Sequence, residues 1–98
     1  PRSLMLKWFK VHGQSMSPQY NEGDLVLAIH KKISKPNLGE DILFFQPYYG
    51  YLLKKICEKK GYEFVVRGNH PLSSGSEVFG LIKPQQIYGK VIWHLARK

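Results

Sequence analysis

Cysteine is nearly absent from this sequence: Cys57 stands alone among 98 residues. No intramolecular disulfide can form, so stability has to come from a packed core, and a reducing compartment, the cytoplasm, is the expected setting. Acidic residues are also few, 7 Asp plus Glu against 15 Lys plus Arg, which leaves a formal charge of +8. An excess of that size first suggests an acidic partner, either nucleic acid or an anionic membrane surface. Long apolar runs are missing. The longest are about five residues, as from Leu25 to Ile29, where a membrane-crossing helix needs roughly 20. His12, His30, His70 and His94 are scattered without paired ligand spacing, so neither a metal centre nor another cofactor is expected.

What is present is a core-forming composition, 43% hydrophobic and 13% aromatic, in a chain long enough for one domain over residues 1–98. Short apolar stretches alternate with turn residues, the pattern of a mostly β domain. Leu25 to His30 reads as a strand that is apolar on both faces, hence buried. Asp41 to Gln46 is a second strand, stopped by Pro47. Tyr51 to Cys57 and Tyr62 to Arg67 form a third and fourth, with Lys59-Lys60-Gly61 as the hairpin turn. Gln86 to Trp93 closes the chain as a last strand. Residues 1–10 form an N-terminal arm, and Gly68 to Gly80, with three Gly and three Ser, reads as a loop. Helical turns are expected only after Ser15 and around Lys83 to Gln86. Cys57 is expected to be a small buried apolar side chain.

Two segments carry chemistry. In Gly13-Gln14-Ser15-Met16-Ser17-Pro18, glycine permits close backbone approach and proline keeps the serines out of a regular helix. A serine on such a turn, beside free backbone N–H groups, suits an acyl-transfer nucleophile whose oxyanion needs donors already aimed at it. In Tyr51-Leu52-Leu53-Lys54-Lys55-Ile56-Cys57, two lysines interrupt a strand. Alternation sends Lys54 to the face of Leu52 and Ile56, and Lys55 to the face of Leu53. A lysine held in apolar surroundings loses preference for its ammonium form and becomes a usable base near neutral pH. Residue types alone leave open which of the two lysines does so.

Taken in order, these segments resemble the signal peptidase I and LexA-type serine–lysine peptidases. Gly13-x-Ser15-Met16-x-Pro18, with Gly23-Asp24 and an apolar strand behind it, is similar to their nucleophile box. Gly39-Glu40-Asp41-Ile42 and Leu53-Lys54-Lys55-Ile56 resemble their base-bearing block. Gly68-Asn69-His70, Ser73-Ser74-Gly75-Ser76, Phe79-Gly80 and Ile87-Tyr88-Gly89-Lys90-Val91 resemble their C-terminal elements. The resemblance implies a single domain of coiled antiparallel sheets and a Ser–Lys dyad. Ser15 would be the nucleophile and Lys54 the base, with the backbone of Ser15 and Gln14 as oxyanion donors. Met16 would pack beneath the turn, and Ser74, or less favourably Ser73, would orient the amine. The chain departs from the family pattern at Gly68-Asn69-His70, where Gly-Asp-Asn is usual, and at Lys55, where arginine is usual.

Self-cleaving relatives cut their own chain upstream of the serine, and the 14 residues before Ser15 hold no Ala-Gly or similar small pair. The expectation is therefore action in trans, removing a leader or propeptide from a precursor protein bound as an extended strand. Among family branches the sequence most resembles the short nickel-type superoxide dismutase maturation peptidases, with the catalytic domain of a membrane-anchored leader peptidase second. Three rival readings stand beside this one. Lys31, Lys32, Lys35, Lys54, Lys55, Lys59, Lys60, Arg97 and Lys98 could line a nucleic-acid face with Tyr48, Tyr49 and Tyr51 for stacking. The arm, through Leu4, Met5, Leu6, Trp8 and Phe9, could touch a membrane surface, although such a stretch is more often an N-terminal strand. A Ser-His-Asp triad of Ser15 with His70 and Asp24 or Asp41 has no local motif behind it.

Overall fold

The computed structural model describes residues 5–13, 15–69 and 75–97. Six strands are defined among them: β1 (Leu6–Lys10), β2 (Leu25–His30), β3 (Asp41–Gln46), β4 (Gly50–Lys60), β5 (Glu63–Arg67) and β6 (Ile87–Leu95). A four-residue helix, α1 (Ser76–Phe79), and a 3-10 turn at Pro84–Gln86 lie between β5 and β6. The strands form one six-stranded sheet in the order β1-β2-β6-β3-β4-β5, and every neighbouring pair is antiparallel. No helix of the described residues is long and apolar enough to cross a membrane.

The sheet covers both faces of its centre by bending. Register shifts interrupt β2–β6 at Leu27/Ala28, β3–β6 at Leu43/Phe44 and β4–β5 at Ile56/Glu58, and each such irregularity increases local bend and twist. Two apolar clusters result. One gathers Ile42, Phe44, Ile56, Phe64, Val66, Ile82 and Ile87, with Leu52 and Phe79 packed against it. The other gathers Val11, Met16, Tyr20, Val26 and Leu53. Alternation along β4 therefore sends Leu52 and Ile56 to one cluster and Leu53 to the other.

Several expectations are corrected. β2 is not buried on both faces: Val26 and Ala28 are enclosed, whereas Leu25, Leu27 and Ile29 face outward opposite Lys10, Trp8 and Leu6 of β1. The described part of the N-terminal arm is a regular edge strand, held by the complete β1–β2 ladder. Cys57 is exposed, because it is the extra residue of the β4 irregularity, between the Ile56↔Val66 and Glu58↔Val65 pairs. The β4–β5 hairpin turns at Gly61-Tyr62, since both lysines before it stay in the strand. The 68–80 segment includes α1, whose end is fixed by amide hydrogen bonds from Val78 and Phe79 to the Gly75 carbonyl.

Candidate active site

The turn carrying Ser15 is the β1–β2 connection, and backbone hydrogen bonds close its base. The Val11 amide donates to the Asp24 carbonyl and the Gly23 amide to the Val11 carbonyl, both at 2.8 Å. Within the loop, the Tyr20 amide reaches the Met16 carbonyl at 2.8 Å, forming one helical turn after Ser15. Gly13 adopts φ +76°, a left-handed conformation that side chains disfavour, and its amide donates to Glu22 Oε1 at 3.1 Å. The Ser17–Pro18 peptide bond is cis.

Two buried carboxylates anchor this loop. Asp24 accepts from the Asn21 amide through Oδ2 at 2.9 Å and from the Arg97 amide through Oδ1 at 2.9 Å. His94 Nε2 lies 2.8 Å from its Oδ2. The Arg97 and Asn21 amides, then His94, hold the Asp24 carboxyl down at about 2, because they favour its ionised form. Asp41 accepts from Tyr20 Oη at 2.8 Å and Gln19 Nε2 at 3.0 Å, and pairs with Lys55 Nζ at 3.0 Å. Burial and this carboxylate push the Tyr20 hydroxyl well above its usual range. Asn69 Nδ2 donates to Gln19 Oε1 at 2.7 Å, so the turn, β3, β4 and the segment after β5 share one polar network.

Ser15 is half-buried and lines a cavity of about 260 Å³. Val11, Met16, Leu52 and Leu53 wall it on the core side, and Phe9, His12, Tyr49 and Tyr51 complete it. Met16 is enclosed in the cluster beneath the turn, against Val11, Tyr20, Val26 and Leu53. Lys54 follows directly on the two leucines of the wall and is only 3% exposed. Its ammonium lies 5.9 Å from the centre of the Phe79 ring, and across the ladder it faces Ile42. Lys55 differs: its side chain is 32% exposed and bridges Asp41 and the Gly39 carbonyl.

Of the residues singled out in the sequence for the active site, Ser15 lines this cavity, Met16 is enclosed beneath the turn and Lys54 is buried in β4, outside the cavity lining; the aromatic walls at Phe9, Tyr49 and Tyr51 were not among them. The Tyr48-Tyr49 pair before Gly50 is the one signal that could have pointed there. Gln14, Ser73, Ser74 and His70 lie outside the described residues. Of the triad alternatives, Asp24 and Asp41 are committed to the contacts above. The lysines do not gather on one face with the tyrosines. Lys54 is enclosed and Lys55 is tied to Asp41, while Lys31, Lys35 and Lys59 meet at a different cleft from the one lined by Tyr49 and Tyr51. No protein-family model matches the chain, and no curated protein matches it either.

Proposed function

We propose that the chain is a serine endopeptidase in which Ser15 and Lys54 form a Ser–Lys dyad, and that it removes a leader or propeptide from another protein. The observation that carries this reading is a charged residue where the sheet should be apolar. Lys54 is 3% exposed on the strand whose leucines wall the Ser15 cavity. Burial disfavours an ammonium ion and so favours the neutral amine that a general base requires.

In this mechanism Ser15 Oγ attacks the scissile carbonyl as the Lys54 amine takes its proton. The backbone amides of Ser15 and Gln14 donate to the oxyanion. The Lys54 ammonium then returns the proton to the leaving amine, and water, deprotonated by the same lysine, hydrolyses the acyl-enzyme. Ser74 orients the amine, and Met16 supports the turn from below. The precursor binds extended, with small apolar side chains next to the scissile bond. Neither nucleic acid nor a cofactor takes part. The Gly13-to-Pro18 box favours the nickel-type superoxide dismutase maturation branch and a cytoplasmic reaction. Exposed Trp8 and Leu6 on β1 leave peripheral membrane contact as an accessory feature of the same reading.

The test is incubation of a leader-bearing precursor with the wild-type protein and the Ser15→Ala and Lys54→Ala variants. Cleavage by wild type alone is the expected result. Equal cleavage by all three proteins refutes the dyad.

A further inference from the structure

A second cleft lies apart from the Ser15 cavity and shares no lining residue with it. It has a volume of about 260 Å³ and sits between the β2–β3 connection, the tip of the β4–β5 hairpin and the 3-10 turn before β6. Its floor is Pro36, Phe64, Pro84 and Ile87. An adjoining hollow of about 360 Å³ shares Lys35, Pro36, Lys59 and Phe64 with it and continues past Asn37 and Leu38. Together they make a groove longer than one side chain.

Three ammonium groups surround the apolar floor. Lys31 donates to the Pro84 carbonyl, which fixes the end of β2 against the 3-10 turn. Lys59 stands over the Phe64 ring, 6.0 Å from its centre, and Lys35 is exposed on the facing connection. No carboxylate is found among the described residues lining either hollow. Tyr62, 86% exposed at the hairpin turn, presents a ring face at the rim.

We propose that this groove is a docking site for an acidic peptide segment, in which one large apolar side chain is flanked by carboxylates. The apolar residue enters between Pro36, Phe64, Pro84 and Ile87, and the carboxylates meet Lys31, Lys35 and Lys59. The floor favours a peptide over nucleic acid. It offers no side-chain donor or acceptor, and a base pressed into it would lose hydration from its polar edge without replacement. A strand-binding platform also needs successive exposed rings, and Tyr62 is the one exposed ring at this groove. The extended shape suits a linear segment, and lysines, as compact point charges, accept carboxylates without the geometry an arginine fork demands.

The proposal stands independently of the dyad, because it concerns binding alone. The probe is a fluorescein-labelled peptide with one phenylalanine flanked on both sides by glutamates, titrated with the intact protein and followed by fluorescence anisotropy. Saturable binding that weakens as salt rises is expected. Lys35→Glu combined with Lys59→Glu should reduce affinity about tenfold, since two exposed charge pairs reverse sign. Both positions are on the surface, and an unchanged circular dichroism melt establishes that the doubly substituted protein is folded. Absence of saturable binding overturns the proposal, as does equal binding of the peptide with glutamines in place of glutamates. Tighter binding of a thymidine oligonucleotide, lost in the same double variant, overturns it in favour of nucleic acid. If the peptide binds but no precursor is cleaved, the groove stands and the peptidase reading falls. The reverse pattern separates them the other way.

Discussion

Adjacent lysines in β4 should respond differently to the same substitution, the first in cleavage and the second in stability. Lys54→Met keeps the length and apolar stem of the side chain but removes a charge that is 3% exposed. Replacing a buried ionic group with an apolar one of similar volume is typically neutral, or stabilising by about 1–4 kcal/mol, because the desolvation cost disappears. Against that stand the contact with the Phe79 ring, which at 5.9 Å is near the outer limit for a cation–π interaction and contributes roughly 1 kcal/mol, and the further interaction that Lys54 makes in the fold. These contributions oppose one another at similar magnitude, so the test rests on cleavage, with the melt establishing that the variant is folded. Lys55→Met leaves the buried Asp41 carboxylate one donor short. The fully buried case costs about 1–3 kcal/mol. Because a third of Lys55 is in solvent, a loss of about 1 kcal/mol is expected. Thermal unfolding by circular dichroism measures both changes, and precursor cleavage is assayed on the same samples. Lys54→Met should lose at least about 10²–10⁴-fold in cleavage, the usual contribution of a positioned base, while Lys55→Met keeps most of it. Retained cleavage by Lys54→Met refutes the catalytic role.

Two further outcomes test the framework around the site. A Cβ on Gly89 would stand 1.7 Å from the Ile29 carbonyl oxygen, a clash with β2 backbone that no rotamer relieves, so Gly89→Ala should cost about 3 kcal/mol or more. Gly61→Ala, at φ +65° with nothing within 4 Å, should cost only about 1 kcal/mol; urea denaturation that ranks the two equally would show the β2–β6 register to be wrong. The Asp24 carboxyl falls from near 4 to about 2 on folding, so its stabilising contribution is complete above pH 4 and lost as pH drops toward 2. Melting temperatures of Asp24→Asn should accordingly depend less on pH across that window than those of wild type, and parallel curves for the two proteins would contradict the assignment.

Strands bounded by turn residues were the most legible part of the fold. β2 and β3 occupy the ranges that apolar runs and their flanking Pro, Asn and Gly residues imply. Features that depend on a neighbouring strand were not legible. The exposure of Cys57 follows from a register shift against β5, and the outward face of β2 follows from its having β1 and β6 as partners at the end of the sheet. Nothing local marked either. At the site, the serine turn and the lysine pair stood out because each breaks the pattern of its own segment. The cavity walls did not, since Phe9 and Tyr49 belong to β1 and the β3–β4 turn and meet only through the fold. His94 and Asp24, 70 positions apart, are in the same position.

Among the described residues, three charged side chains are enclosed, Asp24, Asp41 and Lys54. Each carboxylate sits where polar donors converge, and those donors come from segments that would otherwise be independent: the turn itself, the C-terminal end around β6, and β4. Removing either carboxylate would release the turn, which is a structural reason for the cost of burying it. Lys54 lies on the strand face it shares with Leu52 and Ile56, opposite Ile42 and 5.9 Å from the centre of the Phe79 ring. On the dyad reading proposed above, burial of the Lys54 amine would favour the neutral base that proton transfer from Ser15 needs, and the carboxylate-anchored loop would hold that serine in place. The same reasoning separates the groove lysines from the base: Lys35 and Lys59 are exposed, and a docking site gains from charges that stay solvated until a partner arrives, whereas a base gains from one that is not.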